Sequence, residues 1–102
     1  MEKENQSNRA DAPPLQAGPD TVFNRIGDEG VLIDMRTNRI YDLNSSGARF
    51  WELLCAGHDR ATIRQLMLQE FDVAEAELDR EIEDMLASLK REGLVIQHAE
   101  LD

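Results

Sequence analysis

Apolar positions change their spacing once along this chain. From Thr21 to Leu43 they alternate or cluster in short β-branched runs, and from Ser46 to Leu89 they recur three and four residues apart. The first regime reads as strands. Thr21, Val22, Phe23 and Ile26 mark one, the run Val31-Leu32-Ile33 a second, and the alternating Ile40-Tyr41-Asp42-Leu43 a third. Gly27-Asp28-Glu29-Gly30 and Thr37-Asn38 supply turn chemistry between them. Connections this short favour an antiparallel meander.

The second regime reads as three helices. Asn44, Ser45 and Ser46 are three candidate N-caps, since a short side-chain oxygen can accept from the free N–H groups of a first turn. The helix they open runs from about Ser46 to Cys55, with Phe50, Trp51, Leu53 and Leu54 as its apolar face and Gly57 just past its end. Ile63, Leu66, Met67 and Phe71 give a second helix its stripe, capped either by Asp59 or by a Thr62–Gln65 capping box. Leu78, Ile82, Met85, Leu86 and Leu89 define the third. Glu75 and Glu77 near its start and Lys90 and Arg91 near its end suit the helix dipole, and Gly93 stops it. Leu94-Val95-Ile96 is then a candidate short wing. Strands followed by helices exclude a doubly wound sheet. The expected architecture is α+β and winged-helix-like, a three-stranded antiparallel sheet packed on three helices.

Composition refines this picture at the ends of the chain. Met1–Asp20 is polar, holds Pro13, Pro14, Gly18 and Pro19, and has no apolar periodicity. Such a segment buries too little to offset its ordering entropy, so residues 1–20 are expected to form a disordered arm. The folded domain is expected over 21–97, with a short tail over 98–102. No run approaches the ~20 apolar residues of a membrane span, and a single cysteine among 102 residues excludes an internal disulfide, which suits the cytosol. The net charge is −10, much of it between Glu70 and Asp84. A field of that sign disfavours nucleic acid and anionic membranes as partners. It is either a solvated helix face or a rim that steers a basic partner.

Reactive chemistry is sparse. Cys55 and His58 lie three apart, but no second cysteine or histidine nearby completes a metal set, and the expected reading is a structural cysteine under the core beside a surface histidine. His98 falls in the polar tail. Trp51 reads as a core anchor, and the carboxylates of the third helix as outward-facing. No glycine-rich phosphate loop or nucleophile motif occurs, so neither catalysis nor a cofactor is expected. What remains is a backbone edge. The third strand of a meander pairs on one side only, and Arg39 to Leu43 contains no proline or lysine to block the other. An extended peptide can add there as a fourth strand, unless the arm or a second copy of the chain covers it.

The run from Gly30 to Val95 resembles the PqqD family of peptide chaperones, also called RiPP recognition elements. The marks of the resemblance are VLID, then RIYDLNSSGARFWELL with Leu43-Asn44, Gly57, Phe71-Asp72, and LASLKREGLV closing at Gly93-Leu94-Val95. The resemblance implies a non-catalytic, winged-helix-like domain. It would bind the leader of a ribosomally made precursor peptide and present it to a modifying enzyme, often a radical-SAM enzyme or, in lasso pathways, a leader peptidase. It further implies that the leader adds antiparallel to the third strand, over Arg39, Ile40, Tyr41, Asp42 and Leu43. The groove against the third helix is then expected to involve Glu81, Asp84, Met85 and Ser88. Two rival classes share the element order: a winged-helix regulator, which needs a basic recognition helix, and a homodimerisation module that pairs its own edges.

Overall fold

The structure is a computed structural model and describes residues 15–97. Its elements are β1 (Leu15–Ala17), β2 (Thr21–Ile26), β3 (Glu29–Asp34), β4 (Arg39–Leu43), α1 (Ser45–Cys55), α2 (Arg60–Glu70), α3 (Glu75–Arg91) and β5 (Val95–Gln97). The order β2-β3-β4 makes the expected three-stranded antiparallel meander, and three helices pack on one side of it.

Local signals explain most boundaries. Gly27 has φ 61° at the first position of a two-residue turn, where glycine alone adopts a positive φ without strain, so β2 turns directly into β3. Of the three candidate caps for α1, Asn44 serves, its side chain accepting from the Gly47 N–H at 2.9 Å. Asp59 rather than Thr62 caps α2, accepting from the Thr62 N–H at 2.8 Å. That bond to a backbone donor holds the Asp59 carboxyl below its usual range. No side chain caps α3, whose first turn instead carries Glu75 and Glu77 against the dipole.

The core is continuous. Phe50, Trp51, Leu53 and Leu54 from α1 meet Ile63 and Met67 from α2 and Leu78, Ile82, Leu86 and Leu89 from α3. Leu32 from the sheet and Leu94 and Val95 close it. Alternation sends Gly30, Leu32 and Asp34 inward on β3, and Val22, Ile33 and Ile40 to the sheet's outer face. Asp34 is the one buried charged residue among those described. It accepts from the Arg36 backbone N–H and is clasped by the Arg36 guanidinium at 3.0–3.2 Å, which holds its carboxyl below the usual range despite burial.

Three expectations need revision. Leu15–Ala17, expected within the disordered arm, forms β1 instead and pairs antiparallel with β5. The wing expected at Leu94–Ile96 therefore exists as a strand from Val95, but it belongs to a separate two-stranded ribbon. Cys55 is exposed, because it follows Leu54 by one residue and the helical turn carries it past the buried stripe. The remainder of the arm, residues 1–14, and the tail 98–102 with His98 lie outside the described residues.

Candidate functional site

The ladder of the meander decides which backbone groups are free. Ile26 and Glu29 flank a two-residue turn and so form a hydrogen-bonded pair, after which bonded and non-bonded pairs alternate. Glu29, Val31 and Ile33 thus serve β2, leaving Gly30, Leu32 and Asp34 to bond β4. The Met35 N–H, bonded to the Asp20 carbonyl at 2.9 Å, continues the odd-numbered set toward β2. On β4, Arg39, Tyr41 and Leu43 therefore turn their N–H and C=O inward to β3. Ile40 and Asp42 turn theirs to the far edge, which no other strand pairs among the described residues.

That edge borders a groove of about 670 Å³ between β4, the start of α1, and α3. Of the residues expected to take part, Tyr41, Asp42, Leu43, Glu81, Asp84, Met85 and Ser88 all line it. Arg39 and Ile40 share the strand but do not line the groove, and Ile40 lies on the outer face of the sheet, 65% exposed. The helical positions fall together because Glu81, Asp84, Met85, Ser88 and Glu92 recur at three- and four-residue steps on one face of α3 and its cap. The floor is apolar, made by Leu43, Met85 and Leu89. Met85, whose spacing put it on the core stripe, is only half-buried and is shared between core and groove.

Hydrogen bonds bridge both ends of the groove. At one end Glu92 Oε1 accepts from the Tyr41 hydroxyl at 3.0 Å and from Arg39 Nη1 at 3.2 Å. Burial first, then the Glu92 carboxylate, push the Tyr41 phenol above its ordinary value, so it stays a neutral donor. At the other end Ser46 Oγ lies 3.2 Å from both Glu81 Oε1 and the capping Asn44 Oδ1. Glu92, Ser46 and Leu89 were missed by sequence reasoning. Glu92 sits beyond the last apolar position of α3, and only its distance of three turns from Glu81 ties it to the same face.

Apart from Glu77, the carboxylates of α3 divide into two sets. Asp79 and Glu75 pair with Arg64 of α2, and Glu83 with Arg60, so the face toward α2 is compensated. Arg64 holds the Asp79 carboxyl below its usual range. On the groove side Glu81 meets only the Ser46 hydroxyl, and Asp84 has no cationic partner among the described residues. Cys55 and His58 are remote from the groove, and no cluster of three or more metal-ligating side chains forms among the described residues.

Residues 29–95 match the family of coenzyme PQQ synthesis protein D (PqqD). No curated protein matches the chain in sequence. Among solved structures, the chain is similar to TbiB1 in complex with the TbiA(beta) leader peptide, with 26% identity and a TM-score of 0.73 over 85% of this chain and 99% of that one. It is also similar to a lasso peptide synthetase B1 complexed with the leader peptide. There the identity is 25% and the TM-score 0.71, over 81% of this chain and 98% of the other.

Proposed function

Since the chain belongs to the PqqD family, we propose that it is a non-catalytic peptide chaperone that binds the leader of a ribosomally made precursor and hands it to a modifying enzyme. The observation that carries this reading is a β4 edge, unpaired among the described residues, running beside a groove with an apolar floor. A leader adds to β4 as a fourth strand. It takes backbone hydrogen bonds from Ile40 and Asp42 and places alternate side chains between β4 and α3. Arg39, Tyr41 and Leu43 contribute side chains along the strand, while Glu81, Asp84, Met85 and Ser88 form the opposite wall. Several ladder bonds and one or two apolar anchors, less the ordering entropy of about ten residues, give roughly −8 to −10 kcal/mol, a micromolar to submicromolar affinity.

Delivery supports either of two enzymes, a radical-SAM enzyme or a lasso-type leader peptidase. The second is favoured because a structural neighbour is a lasso peptide synthetase B1 in complex with its leader. The work would be done in the cytoplasm, where precursor peptides are made; no helix among the described residues is long and apolar enough to cross a membrane. The winged-helix regulator is disfavoured because α3 is acidic along most of its length.

The test is an amide NMR titration with a synthetic leader from the short peptide encoded beside this gene. Shifts are expected along Arg39–Leu43 and at Glu81, Asp84 and Ser88. A spectrum unchanged at millimolar peptide would reject the reading and turn attention to self-pairing of the edge.

A further inference from the structure

We propose that the leader strand carries two consecutive basic residues immediately before a large apolar anchor. The inference rests on strand addition at β4 and specifies what that strand must contain.

Register supplies the positions. An antiparallel strand, in keeping with the rest of the sheet, meets Leu43 first and Arg39 last. Its residues opposite Leu43, Tyr41 and Arg39 face the groove, and those opposite Asp42 and Ile40 face the outer side of the sheet. The residue opposite Tyr41 lies over the apolar floor of Met85 and Leu89 and is the anchor. The residue opposite Leu43 points toward Glu81 and Asp84. The residue opposite Asp42 lies beside a carboxylate that is exposed and without a cationic partner among the described residues.

Charge then selects the side chains. Among the described residues no lysine, arginine or histidine lines the groove, whereas Glu29, Asp42, Glu81, Asp84 and Glu92 do. The distribution is lopsided along the groove's length. Glu92 is already engaged by Arg39 and by the Tyr41 hydroxyl, so the Arg39 end offers little to an incoming cation. Glu81, Asp84 and Asp42 remain at the Leu43 end, where two lysine or arginine side chains reach them from opposite faces of one strand. Beyond the anchor, the residue opposite Ile40 extends the outer row Val22–Ile33–Ile40, in which Val22 is 42% and Ile40 65% exposed. A β-branched or other apolar residue fits there. The expected pattern reads basic, basic, large apolar, apolar.

A random decapeptide displayed library, selected on the immobilised full chain at low salt, tests this. The expected result is about five- to tenfold enrichment of Lys and Arg at the two positions before the anchor. The bias should shrink at 0.5 M NaCl, as screened surface pairs do. Asp42→Lys should turn the preference at the position just before the anchor to Asp or Glu. Asp42→Asn, a milder change on the same exposed side chain, should remove the bias there without reversing it. Retained peptides with no basic preference, or with basic residues only after the anchor, would overturn the proposal and leave strand addition standing. A library from which nothing is retained would take strand addition down with it.

Discussion

The sheet has two edges, β2 and β4, and they are built differently. On β2 the outward-facing backbone groups belong to Thr21, Phe23 and Arg25, by the same alternation that turns Ile40 and Asp42 outward on β4, and the Thr21 N–H is already taken by the Gly18 carbonyl at 3.3 Å. Beside the far end of β2 lies a smaller cleft of about 390 Å³ lined by Arg25, Asp28, Glu52, Arg49, Glu70 and Phe71 among others. Its two arginines are both paired. Arg25 pairs with Glu52 at 2.9 Å, and Arg49 bridges Glu52 and Glu70, which lowers the Glu70 carboxyl below its usual range. A strand arriving there would have to disturb the Arg25–Glu52–Arg49–Glu70 ion-pair network, and Phe71 is the one large apolar side chain it would meet among the described lining residues. Beside β4 the floor is apolar and part of the charge is uncompensated. An open edge is thus a necessary feature of a peptide site and not a sufficient one; what flanks the edge decides which one is used.

Proline on the two edge strands should have the strongest consequences. Tyr41→Pro deletes a donor of the native β3–β4 ladder and should unfold or strongly destabilise the domain, by about 3 kcal/mol or more in a thermal melt. Asp42→Pro deletes only an outward donor, so the fold should survive while leader affinity drops at least about tenfold by calorimetry. Arg25→Pro removes an outward donor on β2 and should leave leader affinity within about twofold. Equal losses from Asp42→Pro and Arg25→Pro would mean that the two edges are not distinguished. Next in size is Met85→Ala, which thins the groove floor and should cost about 1–2 kcal/mol of leader binding.

Asp34 anchors the turn that presents β4, through bonds to Arg36 and to the Thr37 and Asn38 N–H groups. Its carboxyl has a lower pKa in the folded chain than the ordinary 3.8, so the folded state binds fewer protons. The stability it contributes is therefore complete above that value and is lost as pH falls through the folded one. Asp34→Asn should lower the denaturant midpoint at pH 7, and the gap from the parent should close as pH drops below about 3.8. The smallest effect is expected from Glu92→Gln. It keeps an acceptor for Tyr41 and removes an exposed ion pair with Arg39, for a stability change of about 0.5 kcal/mol or less.

The central meander and three helices were legible because their signals are local. A two-residue glycine turn, Asn44 and Asp59 caps and apolar stripes each act within a few residues. β1 was not legible. Leu15-Gln16-Ala17 sits among prolines and a glycine, and it becomes a strand only because Val95–Gln97 lies alongside it, some eighty residues later in the chain. The groove was half legible for a related reason. Helical spacing identified the face of α3, but the Glu92 bridge to Tyr41 depends on how the helix end meets the sheet. Cys55 shows the reverse error, a hydrophobic neighbourhood in sequence that one helical step carries into solvent.

The β1–β5 ribbon also fixes how the chain comes and goes. Leu15 is paired with Gln97, so entry and exit lie one strand-spacing apart. A longer polypeptide carrying this fold would pass in and out through a single doorway, with short linkers sufficing on both sides. The unit could then be inserted into a loop of a host protein, or circularly permuted by joining those two points, with the order β2-β3-β4 left intact.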